Sequence, residues 1–298
     1  MTAIHGVIVN RSLPYRKRRK ATAIPTQVPT ATPIQAPAVT ATSTPTAVPT
    51  SQRSSPSGQP MPVGDLPGWK QIFTDDFTTD VLLGSFPGTA YGGRWEVYPD
   101  NTRDTAGQQG APSRYYPSKV VSVSNGLLNE YLHTENGTPM AAAMLPILPG
   151  KTSAGQGQLY GKYTVRFKSD SLQGFKTAWL LWPDSGFWPG DGEIDFPEAD
   201  LSSTIAAFMH HQGATSSNDQ DAFNTNAFYT SWHTASIEWS PTNVKFILDN
   251  TIIGTSTNQI PNTSMHWVLQ TESCLPSCPA PTTAGNLQID WVVVYAPI

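Results

Sequence analysis

The chain is short of charge. Lys, Arg, Asp and Glu make up 13% of its 298 residues, about half the usual quarter of a soluble domain. Long solvated helices and coiled coils need those residues on their outer faces, so both are excluded. Long apolar runs are missing as well. No stretch approaches the roughly 18–20 apolar residues of a membrane-spanning helix, which excludes stable membrane insertion within this chain. Cys274 and Cys278 are the only cysteines. A zinc site would need two more ligands, and no neighbouring His or Cys has the spacing. A CxxxC pair beside proline suits a disulfide-closed loop in an exported protein, preferred here over free thiols. No Ser–His–Asp or HExxH spacing and no GxxxxGK[ST] loop occurs, so those chemistries have no support. In place of charge stand 27 Pro, 23 Gly and 10% aromatic residues, the composition of a β-rich, turn-rich protein.

The net charge of −4 hides two regions. Residues 1–60 hold seven Lys/Arg and no Asp or Glu; the remaining eleven Lys/Arg face all twenty-two acids, a net of −11. An acidic body has no basic face to displace counterions, which excludes nucleic acid as the main partner.

From Ala21 to Ser57 the chain is almost wholly Pro, Thr, Ala, Ser, Val and Gln. Pro recurs every four to eight residues from Pro25 to Pro49, which forbids helix and favours an extended chain. Residues 1–60 are therefore expected to be a disordered basic N-terminus and a Thr/Pro-rich linker, of the kind O-glycosylated outside cells. The cluster Arg16–Lys20 resembles the basic start of a signal peptide, yet no apolar segment follows it. The expectation is an extracellular or cell-surface protein whose signal or anchor lies upstream or whose export takes another route. A solvated tail or nucleic-acid patch is the alternative for the cluster alone.

Residues 61–298 suffice for one large all-β domain. Tyr163–Lys168 alternates apolar and polar; so do His233–Trp239 and Leu287–Trp291 with Val293 and Tyr295. Shorter strands are expected at Gln71–Phe77, Arg94–Tyr98, Lys119–Val123, Leu127–His133, Thr204–His210, Val244–Asp249 and His266–Thr271, separated by turns such as Asn125-Gly126 and Asn136-Gly137. Many short strands without helices between them indicate two packed sheets. Trp239 and Trp291 alternate with polar residues and read as core.

One segment breaks the scarcity of charge. Gly190–Asp200 holds five acids in eleven residues. On a strand Glu193 and Asp195 share one face, while Ile194 and Phe196 point into the core. Glu198 would fall on the opposite face unless a β-bulge, tolerant of Pro197, brought it back. The pattern thus predicts three carboxylates in a row. Retaining glycoside hydrolysis uses two carboxyl groups about 5–5.5 Å apart, one as nucleophile and one as acid/base. Like charges so close raise at least one pKa, as a proton donor requires. A solvated strand edge or a calcium site is the bland alternative, disfavoured by the alternation with core residues.

Glu193-Ile194-Asp195-Phe196-Pro197-Glu198 resembles the ExDxxE signature of family-16 glycoside hydrolases, the laminarinase and lichenase group. The resemblance extends through Gly68–Phe77, Thr177–Leu181, Trp232–Asp249 and Leu287–Tyr295, in the family's order. It implies a curved, concanavalin A-like β-jelly-roll sandwich with an open concave cleft, cleaving internal β-linkages with retention and without a catalytic cofactor. By motif, Glu193 would be the nucleophile, Asp195 its tuning partner and Glu198 the acid/base. The bulged spacing resembles the laminarinase branch rather than the lichenase type, one residue shorter; Pro197 departs from the usual apolar residue. Trp179 matches a substrate-subsite residue, and Asp290 a ligand of a structural Ca²⁺, with an outward polar residue as the alternative.

Indoles stack on the apolar faces of sugars, so Trp182 and Trp188, near the acids, are candidate substrate contacts; packing roles stand beside them. His210, ending the strand after the acids, could return to the cleft by antiparallel pairing, and Gln270 could bond a sugar hydroxyl. The expected protein is a monomeric, secreted endo-β-glycanase whose polysaccharide substrate is a β-1,3- or mixed-linkage glucan. Two alternatives remain: a transglycosylase using the same intermediate, and a non-catalytic glucan-binding module.

Overall fold

The computed structural model describes residues 55–298. Residues 1–54, most of the expected disordered linker, lie outside the described residues. Within the described residues helix is limited to three single turns, Gly88–Tyr91, Thr105–Gln108 and Pro117–Val120, and the rest of the regular structure is strand. No described helix is long and apolar enough to cross a membrane.

The alternating segments form strands because one face of each can be buried. Thr204–His210 and His233–Trp239 have the expected bounds, and Tyr163–Lys168 is the centre of Gly161–Ser169. Other starts shift by one or two residues; Lys119 lies in the turn Pro117–Val120, where proline at the first position pre-sets a helical φ, so that strand begins at Val121.

The strands assemble into sheets of eleven and seven. In the larger, Gly285–Pro297 lies between Gly161–Ser169 and Leu127–Glu135. The smaller is ordered Gln220–Phe228, Thr204–His210, Glu193–Asp200, Phe175–Pro183, Met265–Ser273, Ala143–Pro146 and Trp95–Val97. Between the sheets, Tyr163, Val165 and Phe167 meet Trp179, Ile194 and Phe196 in one core. Phe167 meets Trp179 edge-on at 5.2 Å between ring centroids, and Phe196 meets Phe246 likewise at 5.6 Å. Such pairs contribute about 0.5–1.5 kcal/mol each beyond their area burial. Trp239 belongs to this core, as expected.

The closing strand departs from simple alternation. Ile289 pairs with Phe167 and Trp291 with Arg166, so Asp290 is an extra residue, a bulge. Before it, Leu287 and Ile289 face the inter-sheet core; after it, Val292 and Val294 do. Trp291, Val293 and Tyr295 are thereby turned to the outer face, where Met61 and Trp69 cover them. Trp291 is buried, but outside the main core. The folded body also begins before residue 61. The Trp291 indole donates to the Gln59 carbonyl at 2.9 Å, and Arg166 Nε donates to Ser57 Oγ at 3.1 Å. Residues 55–60 thus belong to the domain, correcting the boundary expected from composition. Cys274 and Cys278 are joined in a disulfide.

Candidate active site

The outer face of the seven-stranded sheet carries a cleft of about 620 Å³, lined by Glu193, Asp195 and Glu198. Their strand alternates as the sequence requires: Ile194 and Phe196 are sealed in the core. Glu198 pairs with Ala178 and Asp195 with Leu180, so three steps on one strand oppose two on the next. The same shift occurs on the other side, where Asp195 pairs with Phe208 and Glu198 with Ala206. The bulge therefore spans Phe196–Pro197 and returns Glu198 to the cleft.

Burial and mutual repulsion decide where protons reside. Burial, then the neighbouring Glu193 and Glu198 carboxylates, hold the Asp195 carboxyl well above its ordinary range. Glu193 is pushed up to about 7, chiefly by burial, while a hydrogen bond with Asp195 opposes the rise. Of the two, Asp195 is held the more strongly in its protonated form, which relieves the repulsion beside Glu193. His210 stands opposite Glu193 on the next strand, its Nε2 3.5 Å from Asp195 Oδ2 and 4.0 Å from Glu193 Oε2. Burial lowers its pKa, which favours neutral imidazole there.

The aromatic expectations divide. Trp182 and Trp188 line the cleft and stack at 6.1 Å, and Trp188 meets the His210 ring edge-on at 5.9 Å. Trp179 does not line it. Ala178, Leu180 and Trp182 take the outward positions of their strand, so Trp179 points inward and is fully buried against Phe167. Its expected substrate contact is withdrawn. Gln270 lines the cleft opposite Ala178, its Oε1 accepting from the Tyr115 hydroxyl at 3.2 Å.

Sequence reasoning passed over Lys176, Tyr115 and Glu272, which also line the cleft. Lys176 Nζ donates to Glu198 Oε1 at 2.5 Å. Glu272 Oε1 accepts from the backbone N–H and the hydroxyl of Thr105. Lys176 precedes Ala178 by two, so strand parity alone could have placed it on this face.

Asp290 does not suit calcium. Its Oδ2 accepts from the Ser55 hydroxyl and from the Ser57 N–H at 3.1 Å. Those donors occupy lone pairs a cation would need. Among the described residues the one group of three acids or histidines close enough to hold an ion is Glu193, Asp195 and His210, within 4.8 Å of one another. These are the reaction's own candidates.

A family model described as "Glycosyl hydrolases family 16" matches residues 109–293. This chain is a family-16 glycosyl hydrolase. Solved structures agree on the fold. SCLam, a non-specific endo-β-1,3(4)-glucanase, is 20% identical at a TM-score of 0.63, covering 80% of this chain and 95% of its own. The catalytic domain of a Thermotoga petrophila laminarinase is 22% identical at 0.58, covering 79% and 99%. A structure reported with endo-acting mucin O-glycanases of the human gut microbiota is 19% identical at 0.60, covering 79% and 94%. No curated protein sequence gives a match. The family-16 sandwich is the jelly roll expected from the sequence, and the chain is a glycoside hydrolase.

Proposed function

We propose that this family-16 enzyme is an endo-acting, retaining β-glycanase that cuts a β-1,3- or β-1,3-1,4-glucan. The observation that carries the reading is the row Glu193–Asp195–Glu198, brought onto one cleft face by the Phe196–Pro197 bulge. Two glucanases among the structural neighbours support the choice of polymer.

In the first step the Glu193 carboxylate attacks the anomeric carbon. The bond from that carbon to the glycosidic oxygen breaks, its electron pair stays on the oxygen, and the oxygen takes a proton from Glu198. In the second step water attacks the same carbon, gives its proton to Glu198, and the ester bond's pair returns to Glu193. Two inversions give retention. Asp195 holds the proton that keeps Glu193 a hydrogen-bonded carboxylate between steps. Trp182 and Trp188 offer flat apolar faces to sugar rings. Nucleophile, acid and base all come from side chains, so the steps need no cofactor. The disulfide and the Thr/Pro-rich composition of residues 21–57 support an extracellular or cell-surface location.

The test is reducing-end release by the full chain on laminarin, mixed-linkage β-glucan, agarose and mucin, beside Glu193→Gln. Release from a β-glucan, at internal bonds and lost in the variant, is expected. Release from mucin alone would reassign the substrate; binding without release, indifferent to the variant, would overturn the catalytic reading.

A further inference from the structure

The cleft contains a lysine that the two-carboxylate scheme does not use. Lys176 lies on the strand Phe175–Pro183, directly opposite Asp200 on one side and Glu272 on the other. Its ammonium reaches Glu198 Oε1 at 2.5 Å, and neither side chain is more than one-fifth exposed. Burial works against the ammonium, but Glu198, then Glu272 and Asp195, outweigh it and raise the Lys176 pKa. A charged lysine is therefore held against one oxygen of the candidate acid/base.

That contact has a chemical direction. Glu198 must carry a proton when the leaving group departs and must have lost it when water attacks. The ammonium occupies Oε1, leaving that oxygen engaged in both steps. It also fixes the rotamer and leaves Oε2 as the atom that meets the glycosidic oxygen and then the water. Other charged groups around Glu198 do not hold it in this way. Glu193, Asp195 and Glu272 are acids, and buried His210 favours its neutral form. Arg103, also lining the cleft, forms no ion pair among the described residues.

We propose that Lys176 is a positioning residue that holds Glu198 Oε1 and thereby aims Glu198 Oε2 at the leaving oxygen and then at the attacking water. Lys176 itself transfers no proton in either step. The inference rests on the reading of Glu198 as acid/base.

The experiment compares the full chain with Lys176→Met and Lys176→Arg on two substrates. One is the polymer found to be cleaved; the other is a dinitrophenyl β-glycoside of its short oligosaccharide, whose leaving group needs little acid assistance. With Lys176→Met, kcat on the polymer is expected to fall about tenfold with KM little changed, the mark of an interaction that matters in the transition state. On the aryl glycoside kcat should fall about tenfold, with a burst of dinitrophenolate stoichiometric with enzyme. Lys176→Arg should keep the parent profile. An unchanged kcat on the polymer and no burst in a folded Lys176→Met would overturn the proposal. Should that variant not fold, Lys176→Gln, which keeps a donor and loses the charge, is held to the same two readouts. Glu198→Gln separates the two readings. If it leaves both substrates fully active, the acid/base assignment falls; if it disables polymer cleavage while Lys176→Met changes nothing, only the role of the lysine falls.

Discussion

Thr271 of the seven-stranded sheet donates a hydrogen bond of 3.0 Å to Glu130 of the eleven-stranded sheet, across the interior of the sandwich. The other carboxyl oxygen of Glu130 is buried without a partner. Burial pushes this acid up from 4.5 to about 8, so it enters the fold protonated.

Stability should therefore fall with rising pH. Between about 4.5 and 8 the native state holds a proton that the unfolded chain has released. The native state is then disfavoured by up to about 1.4 kcal/mol per pH unit, levelling above the folded pKa. Glu130→Gln keeps the acceptor for Thr271 and has no proton to lose. Thermal melts at pH 5 and pH 8 should show the variant nearly unchanged at the lower pH and stabilised at the higher. An identical pH dependence in both proteins would remove Glu130 as the cause.

The acid side of the activity profile should belong to the Glu193–Asp195 pair. As the proposed nucleophile Glu193 acts only when ionised, and burial sets it near 7. Activity is expected to decline as pH falls through that region. Asp195→Asn removes a potential like charge and leaves a permanent donor, so the acid limb of kcat/KM should move down by about one pH unit. A limb that stays in place would show that another group controls it.

Two tryptophans nine positions apart should fail differently. Trp188 is 37% exposed and lines the cleft; Trp188→Ala should raise KM about tenfold, a loss of roughly 1.4 kcal/mol of stacking, with little change in melting temperature. Trp179 is sealed inside, and Trp179→Ala should cost about 3–5 kcal/mol of stability. Urea unfolding and steady-state kinetics on both variants distinguish these roles. A KM effect in a stably folded Trp179→Ala would restore it as a substrate contact.

The N-terminal segment should stabilise the domain without metal. A chain begun at residue 62 loses Ser55, Ser57, Gln59 and Met61 and uncovers Trp291. About 2–3 kcal/mol should be lost, a fall of roughly 4–12 °C in melting temperature, while a chain begun at residue 55 should match the full protein. Chelation by EDTA should leave the melting temperature unmoved, since Ser55 and Ser57 both donate to Asp290 Oδ2. A drop on chelation, reversed by calcium, would reinstate an ion there.

The row of acids and its bulge were legible because they follow from counting: apolar Ile194 and Phe196 fix the parity, and Glu198 fits the cleft only with one extra residue. Trp179 was misplaced because Lys176, at the start of its strand, is the one charged residue that marks the cleft face. Ala178 and Leu180 floor the cleft with apolar groups, so Thr177–Trp182 looks buried on both sides, and motif similarity then decided wrongly. Nothing in Leu287–Tyr295 marks Asp290 as an inserted residue, because apolar side chains follow it on both faces. Residues 55–60 read as linker by composition, yet they are held by hydroxyl, backbone and Met61–Trp291 contacts that composition does not reveal. Gln220–Phe228 is polar at most positions and was passed over; it is a strand because it completes the edge of the sheet beside Thr204–His210.

The extra residue between Asp195 and Glu198 has a consequence for shape. A regular strand one residue shorter would present the same three acids in the same order, since removing one position restores simple alternation. The insertion therefore adds bend and twist to the backbone rather than a new arrangement of groups. The contour on which a polymer must lie is set partly at Phe196 and Pro197, by main chain beneath the row of carboxylates, and exchanging the rim loops would leave that contour in place.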